Sequence, residues 1–151
     1  MLGLGNLLLS DDGVGLRLLE ELSSSKAAVW GKEVEFLDGG TQGLALIGEF
    51  GARRGVVILD AVRTGTKPGT VHVFRALSGP YVRSTTAHEG NARELMATAA
   101  LLGESPDHLA VVGVEPGRLD TGIGLSDSVE RVVNVAVQRA AEEVEQILAQ
   151  T

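Results

Sequence analysis

The sequence predicts an α/β domain: a mostly parallel, twisted sheet of about five strands, one of them antiparallel, with helices on both faces in three layers. Three observations carry this. Stretches with apolar residues at helical spacing take turns with short alternating or continuous apolar runs. That alternation buries a parallel sheet between helices. Glycine is abundant, at 20 of 151 residues, while proline is scarce, at 4, which suits many tight turns between regular elements. The length fits one domain over residues 1–151, with no linker, internal repeat or low-complexity segment.

Only Met1 and Leu2 precede Gly3-Leu4-Gly5-Asn6, so the opening strand is either a stub completed by Leu4 or starts upstream of Met1. Val14, Leu16, Leu18, Leu19 and Leu22 recur at helical spacing. Asp11 or Asp12 is placed to cap that helix, and Ser23-Ser24-Ser25 to end it. Glu33 to Asp38 alternates and stops at Gly39-Gly40, as a strand does. Gln42 to Phe50 reads as a short helix carrying Leu44, Leu46, Ile47 and Phe50. Val56-Val57-Ile58-Leu59 is a continuous apolar run, expected of a strand covered on both faces, and it ends at Asp60. Lys67-Pro68-Gly69 turns the chain into a further strand, Thr70 to Arg75. Ala76 to Ala87 is irregular. A helix follows from about Glu89 to Leu102, stopped by Gly103 and Pro106, and then a strand from His108 to Val114. After a glycine-rich loop, Ser126 or Asp127 caps a long last helix that buries Val129, Val132, Val133, Val137, Val144 and Leu148. Asp127 and Glu130 are spaced as a capping box.

Composition removes several function classes. Hydrophobic residues make up 44% and aromatics 3%, so the core is built from Leu, Val, Ile and Ala. The net charge of −7 repels phosphate backbones, and the longest basic run is Arg53-Arg54, so no nucleic-acid partner is expected. The absence of cysteine excludes disulfides, thiolate nucleophiles, zinc ribbons and iron–sulfur ligation, and fits a reducing cytoplasm, the expected location. Met1 to Ser10 lacks the basic start of a signal peptide. No apolar run approaches the ~20 residues of a membrane span, so no membrane insertion is expected.

Familiar motifs fail. Gly3-Leu4-Gly5-Asn6-Leu7-Leu8 opens like a dinucleotide loop but lacks the last glycine, and Asp11-Asp12 would face the pyrophosphate. His88-Glu89 would need a second histidine at position 92, which is Ala. There is no Gly-x-Ser-x-Gly elbow and no Walker loop.

One constellation survives. Asp12 opens a helix after the first loop, Asp60 ends a strand, and His88 precedes a helix. In an open parallel sheet such positions gather at the carboxyl edge, where ligands bind. Two carboxylates and an imidazole suit a divalent ion such as zinc or nickel. Each residue also has a plainer role open to it: Asp12 as a helix cap, Asp60 as a turn former, His88 as a solvated loop residue. His72 and His108 lie on strands as packing or surface residues, and Asp38, in Asp38-Gly39-Gly40-Thr41, is equally suited to a turn.

Five blocks in order resemble the hydrogenase-maturation endopeptidases (peptidase family M52). They are Gly3-x-Gly5-Asn6-x-Leu8-x-x-Asp11-Asp12-Gly13-x-Gly15; Asp38-Gly39-Gly40-Thr41; Leu59-Asp60-Ala61 with Pro68-Gly69; Thr86-Ala87-His88; and Gly113-Val114-Glu115-Pro116 with Gly124-Leu125-Ser126. The resemblance implies an endopeptidase that removes the C-terminal extension of a nickel–iron hydrogenase large-subunit precursor after nickel insertion. It implies Asp12, Asp60 and His88 as the catalytic and metal-contacting residues. The nickel then belongs to the substrate, and no permanently bound cofactor is expected. Nickel could polarise the scissile carbonyl or activate water, or a carboxylate could act as general base. Two other readings stay open: a maturation module that binds metal or precursor without cutting, and a nucleotide-dependent α/β enzyme.

Overall fold

Strand periodicity sorts the central side chains onto two faces. In the computed structural model, which describes residues 1–75 and 91–150, β1 is Leu2–Leu4, β2 Leu37–Gly40, β3 Gly55–Ala61, β4 Val71–Arg75 and β5 His108–Val114. They form one sheet in the order β2-β1-β3-β5-β4. All neighbours are parallel except β4, which runs antiparallel to β5. The expected architecture is therefore the observed one.

Side chains alternate across a strand, so Val57, Leu59 and Ala61 of β3 share a face with Val112 and Val114 of β5. On that face pack Val14, Leu18 and Leu22 of α1 (Val14–Trp30) together with residues of α3 (Asp127–Glu130) and α4 (Val133–Ala149). Val56, Ile58, Leu109 and Val111 face the other way, onto Ile47, Phe50, and Ala92, Leu95 and Ala99 of α2 (Asn91–Leu101).

Several boundaries differ from expectation. Helix α1 runs through Ser23-Ser24-Ser25 to Trp30. Ser25 donates its hydroxyl to the Glu21 carbonyl at 2.8 Å, and Trp30 is buried and stacked on Phe36. Anchoring that ring outweighs the weak helix propensity of three serines. Strand β2 lies at Leu37–Gly40 rather than Glu33 to Asp38, because pairing with β1 decides which residues form the ladder. The short helix expected over Gln42 to Phe50 is present as a 3-10 helix, Gly43–Glu49. The last helix is broken into α3 and α4 around Arg131 and Val132. The opening strand, β1, takes in Leu2, Gly3 and Leu4 and ends at Leu4. The irregular stretch expected over Ala76 to Ala87 and the start of its helix near Glu89 lie outside the described residues.

Candidate active site

Asp60 belongs to the even series of β3, so its carboxylate points to the face covered by α2. There Oδ2 accepts the backbone N–H of Ala92, in the first turn of α2, at 3.1 Å, and Oδ1 accepts the N–H of Ala61 at 2.9 Å. The residue is only 2% exposed. Burial, opposed by the Ala92 bond and reinforced by the nearby charge of Asp12, pushes its pKa up to about 7.

Asp12 does not cap α1. It sits in a 3-10 turn, Ser10–Gly13, and the α1 cap is Gly13. Its Oδ2 instead accepts the N–H of Asn6 at 2.8 Å, which folds the loop after β1 back onto the turn. Among the described residues Oδ1 of Asp12 receives no hydrogen bond. Glycine makes this close passage possible. A Cβ on Gly5, which has φ +129°, would lie 2.0 Å from the Asp12 carbonyl oxygen. Asp12 and Asp60 thus meet at the carboxyl edge as a half-buried and a buried acid. His88 lies outside the described residues; in sequence it precedes Ala92, the Asp60 partner, by four. Among the described residues no three His, Asp or Glu side chains group as a metal site, so Asp12 and Asp60 are the part of the expected set that is on view.

The remaining candidates take the plainer roles. Asp38 is exposed and accepts the Gly40 N–H at 2.9 Å, as a turn former does. His108 starts β5 at the opposite edge. His72 lies two strands from Asp60, across from Gly113, with Nε2 held by Thr64 and Thr66 at 3.1 and 3.0 Å. A cavity of about 250 Å³ also opens at the opposite edge, lined by Met1, Val34, Phe50, Gly55 and Ile147 among others, away from the two acids.

Two acids take roles that differ from the sequence reading: Asp11 does not cap α1 as expected, and Glu115 had no role assigned. Asp11 is fully buried, and its carboxylate accepts Gly117 N–H, Arg118 N–H, Ser126 N–H and the Ser126 hydroxyl at 2.7–2.8 Å. Ser126 therefore starts α3 without capping it by its side chain, and the expected capping box does not form. Burial works to raise the Asp11 pKa, but the bonds from Ser126, Arg118 and Gly117 hold it below the ordinary carboxylate value. Glu115, buried at the end of β5, accepts Thr64 N–H, Gly65 N–H and the Thr64 hydroxyl, ordering the loop after Asp60. An acid closing an apolar strand was a signal shared with Asp60. Asp11 gave none locally, because its partners lie 106 to 115 residues away.

A prediction follows for Asp11. Asn in its place turns an acceptor toward four donors into a donor and should cost about 3 kcal/mol at neutral pH. Because the folded carboxylate has the lower pKa, its contribution is present above the unfolded value and lost as pH falls through the folded one. Denaturant midpoints of wild type and Asp11→Asn should converge as the pH drops below about 4. A gap that stays constant from neutral to acid pH would contradict this.

The fold and the paired acids define a class: a three-layer α/β protein with an acidic site at the carboxyl edge of its sheet. Residues 16–143 match the family model described as hydrogenase maturation protease. The chain is 33% identical over 142 residues to the hydrogenase 2 maturation protease of Escherichia coli, covering 92% of this chain and 85% of that protein. It is 35% identical over 146 residues to a hydrogenase expression/formation protein, HupD, of Thiocapsa roseopersicina, covering 94% of this chain and 65% of that one. The structure of the hydrogenase maturating endopeptidase HybD from Escherichia coli superposes with a TM-score of 0.77 at 29% identity, covering 96% of this chain and 90% of that one. HybD from Thermococcus kodakarensis gives 0.69 at 27% identity, covering 93% and 95%. The chain belongs to the hydrogenase maturation protease family, a family of endopeptidases.

Proposed function

We propose that this chain removes the C-terminal extension of a nickel–iron hydrogenase large-subunit precursor after nickel insertion, in the cytoplasm, and that it reads the substrate's nickel through Asp12, Asp60 and His88. The observation that carries this reading is the pairing of a buried Asp60 with a half-buried Asp12 at the ligand-binding edge. Two carboxylates held together repel, and a divalent cation delivered by the substrate relieves that repulsion. Nickel, as part of the substrate, anchors the precursor and polarises groups near it. The chain's own residues fix where the scissile bond lies, and a carboxylate of the pair accepts the proton of the attacking water. That proton passes to the departing amine as the C–N bond breaks. The aspartates thus give the enzyme its aspartyl character without a serine or cysteine nucleophile.

The test mixes purified protein with nickel-loaded and with nickel-free precursor and follows mass by spectrometry. Loss of the extension is expected only from the loaded form. Equal cleavage of both would sink nickel recognition, and binding without shortening would favour a non-cleaving maturation module. Activity unchanged in His88→Ala would remove that residue from the site.

A further inference from the structure

The loop after β1 and the loop after β5 are zipped together beside Asp12. Ser10 N–H donates to the Gly122 carbonyl at 2.8 Å, Gly122 N–H to the Leu8 carbonyl at 2.9 Å, and Asp11 N–H to the Arg118 carbonyl at 2.9 Å. The Ser10 hydroxyl reaches the Asp120 carbonyl at 2.8 Å, and Asp11 clasps the same loop from beneath. This framework carries three large apolar side chains outward: Leu7, Leu8 and Ile123 are 56%, 60% and 87% exposed. Leu7 lies over Gly13, next to Asp12, and Asn6 bonds the Asp12 carboxylate itself. The Arg118–Asp120 ion pair borders the same loop.

We propose that Leu7, Leu8 and Ile123 form an apolar lip that docks the folded body of the protein substrate beside its cleavage segment. The proposal rests on the functional reading above and deepens it. Exposed apolar groups bordered by charge mark protein-interaction surfaces. The lip is continuous with Asp12, so a polypeptide whose scissile bond reaches that carboxylate passes against it. Both loops are fixed by backbone hydrogen bonds and by Asp11, so docking orders little further chain and more of the contact energy is kept.

The test compares wild type, Leu8→Ser/Ile123→Ser and Leu101→Ser/Leu102→Ser in steady-state cleavage of nickel-loaded precursor. Leu101 and Leu102 are also exposed, at 87% and 63%, but stand at the far end of α2, away from the site. The lip variant should raise KM about ten-fold or more, a change typical of losing interface anchors, with kcat held within about two-fold. The distal variant should match wild type in both. Thermal midpoints of all three should agree, since the altered side chains are exposed. If wild type leaves the loaded precursor intact, the functional reading fails and this inference with it. If wild type cleaves and the lip variant keeps the wild-type KM, the lip alone is refuted. A wild-type dimer in sedimentation that the lip variant dissolves would assign the surface to a second copy and also overturn the proposal.

Discussion

Asp12→Asn should abolish cleavage of the nickel-loaded precursor while leaving the fold intact. Asparagine keeps an oxygen to accept the Asn6 N–H, now at 2.8 Å, and has nearly the same volume. What it removes is the charge. Asp60 then loses the repulsion that contributes to its raised pKa, and the pair loses a carboxylate that attracts a cation. Losing a group that holds the metal or accepts a proton at the reacting bond typically lowers turnover by at least ~100-fold. Stability should change by no more than about 0.5 kcal/mol, as for a half-buried site whose bond is retained. Single-turnover mass spectrometry alongside a denaturant titration separates the two effects. Activity within ten-fold of wild type would exclude Asp12 from the chemistry. The equivalent change at Asp60 is a poorer probe. Both of its oxygens accept a backbone N–H, so an amide would set donor against donor at Ala61 or Ala92 and disturb the start of α2.

A large loss of stability is expected at Gly15. A Cβ there would lie 2.3 Å from the Leu59 carbonyl oxygen and 2.4 Å from that of Leu4. Both are backbone atoms of sheet strands, so neither can swing aside. Gly15→Ala must lift the start of α1 off β1 and β3, loosening Leu18 and Leu22, which are fully buried. Overpacking of this kind should cost about 3 kcal/mol or more, a sizeable share of the ~5–15 kcal/mol that holds a domain together. The thermal midpoint should fall by about 10 °C. Because Asp12 lies in the turn that feeds α1, cleavage should weaken as well. Gly48→Ala is the control: nothing lies within 4 Å of its added Cβ, and the midpoint should hold. An unchanged midpoint in Gly15→Ala would refute the close packing.

The glycines and the acids of the first block are thus explained by different forces. Gly5 and Gly15 are required by approach distances below contact, a demand of packing. Asp12 bonds the loop after β1 and lies close enough to Asp60 for its charge to act on that carboxyl. Asp11 neutralises backbone donors of a loop far along the chain. All three kinds stood side by side in the sequence as one motif, and nothing in their spacing separates them.

What the sequence determined by itself is what local pattern controls. The continuous apolar run from Val56 to Leu59, the alternation of strand with helix and the acid closing β3 were enough for the sheet, its layers and the edge where Asp60 lies, because burial periodicity is written in consecutive residues. What only the tertiary structure decided depends on partners distant in sequence. Strand pairing with β1 moved β2 to Leu37–Gly40, and burial of Trp30 carried α1 past its serines. Contact with residues beyond position 116 made Asp11 a clasp and left Asp12 to the loop after β1, beside Asp60. A carboxylate has the same local signature whether it caps, clasps or catalyses, and the choice among the three is made by which donors the fold brings to it.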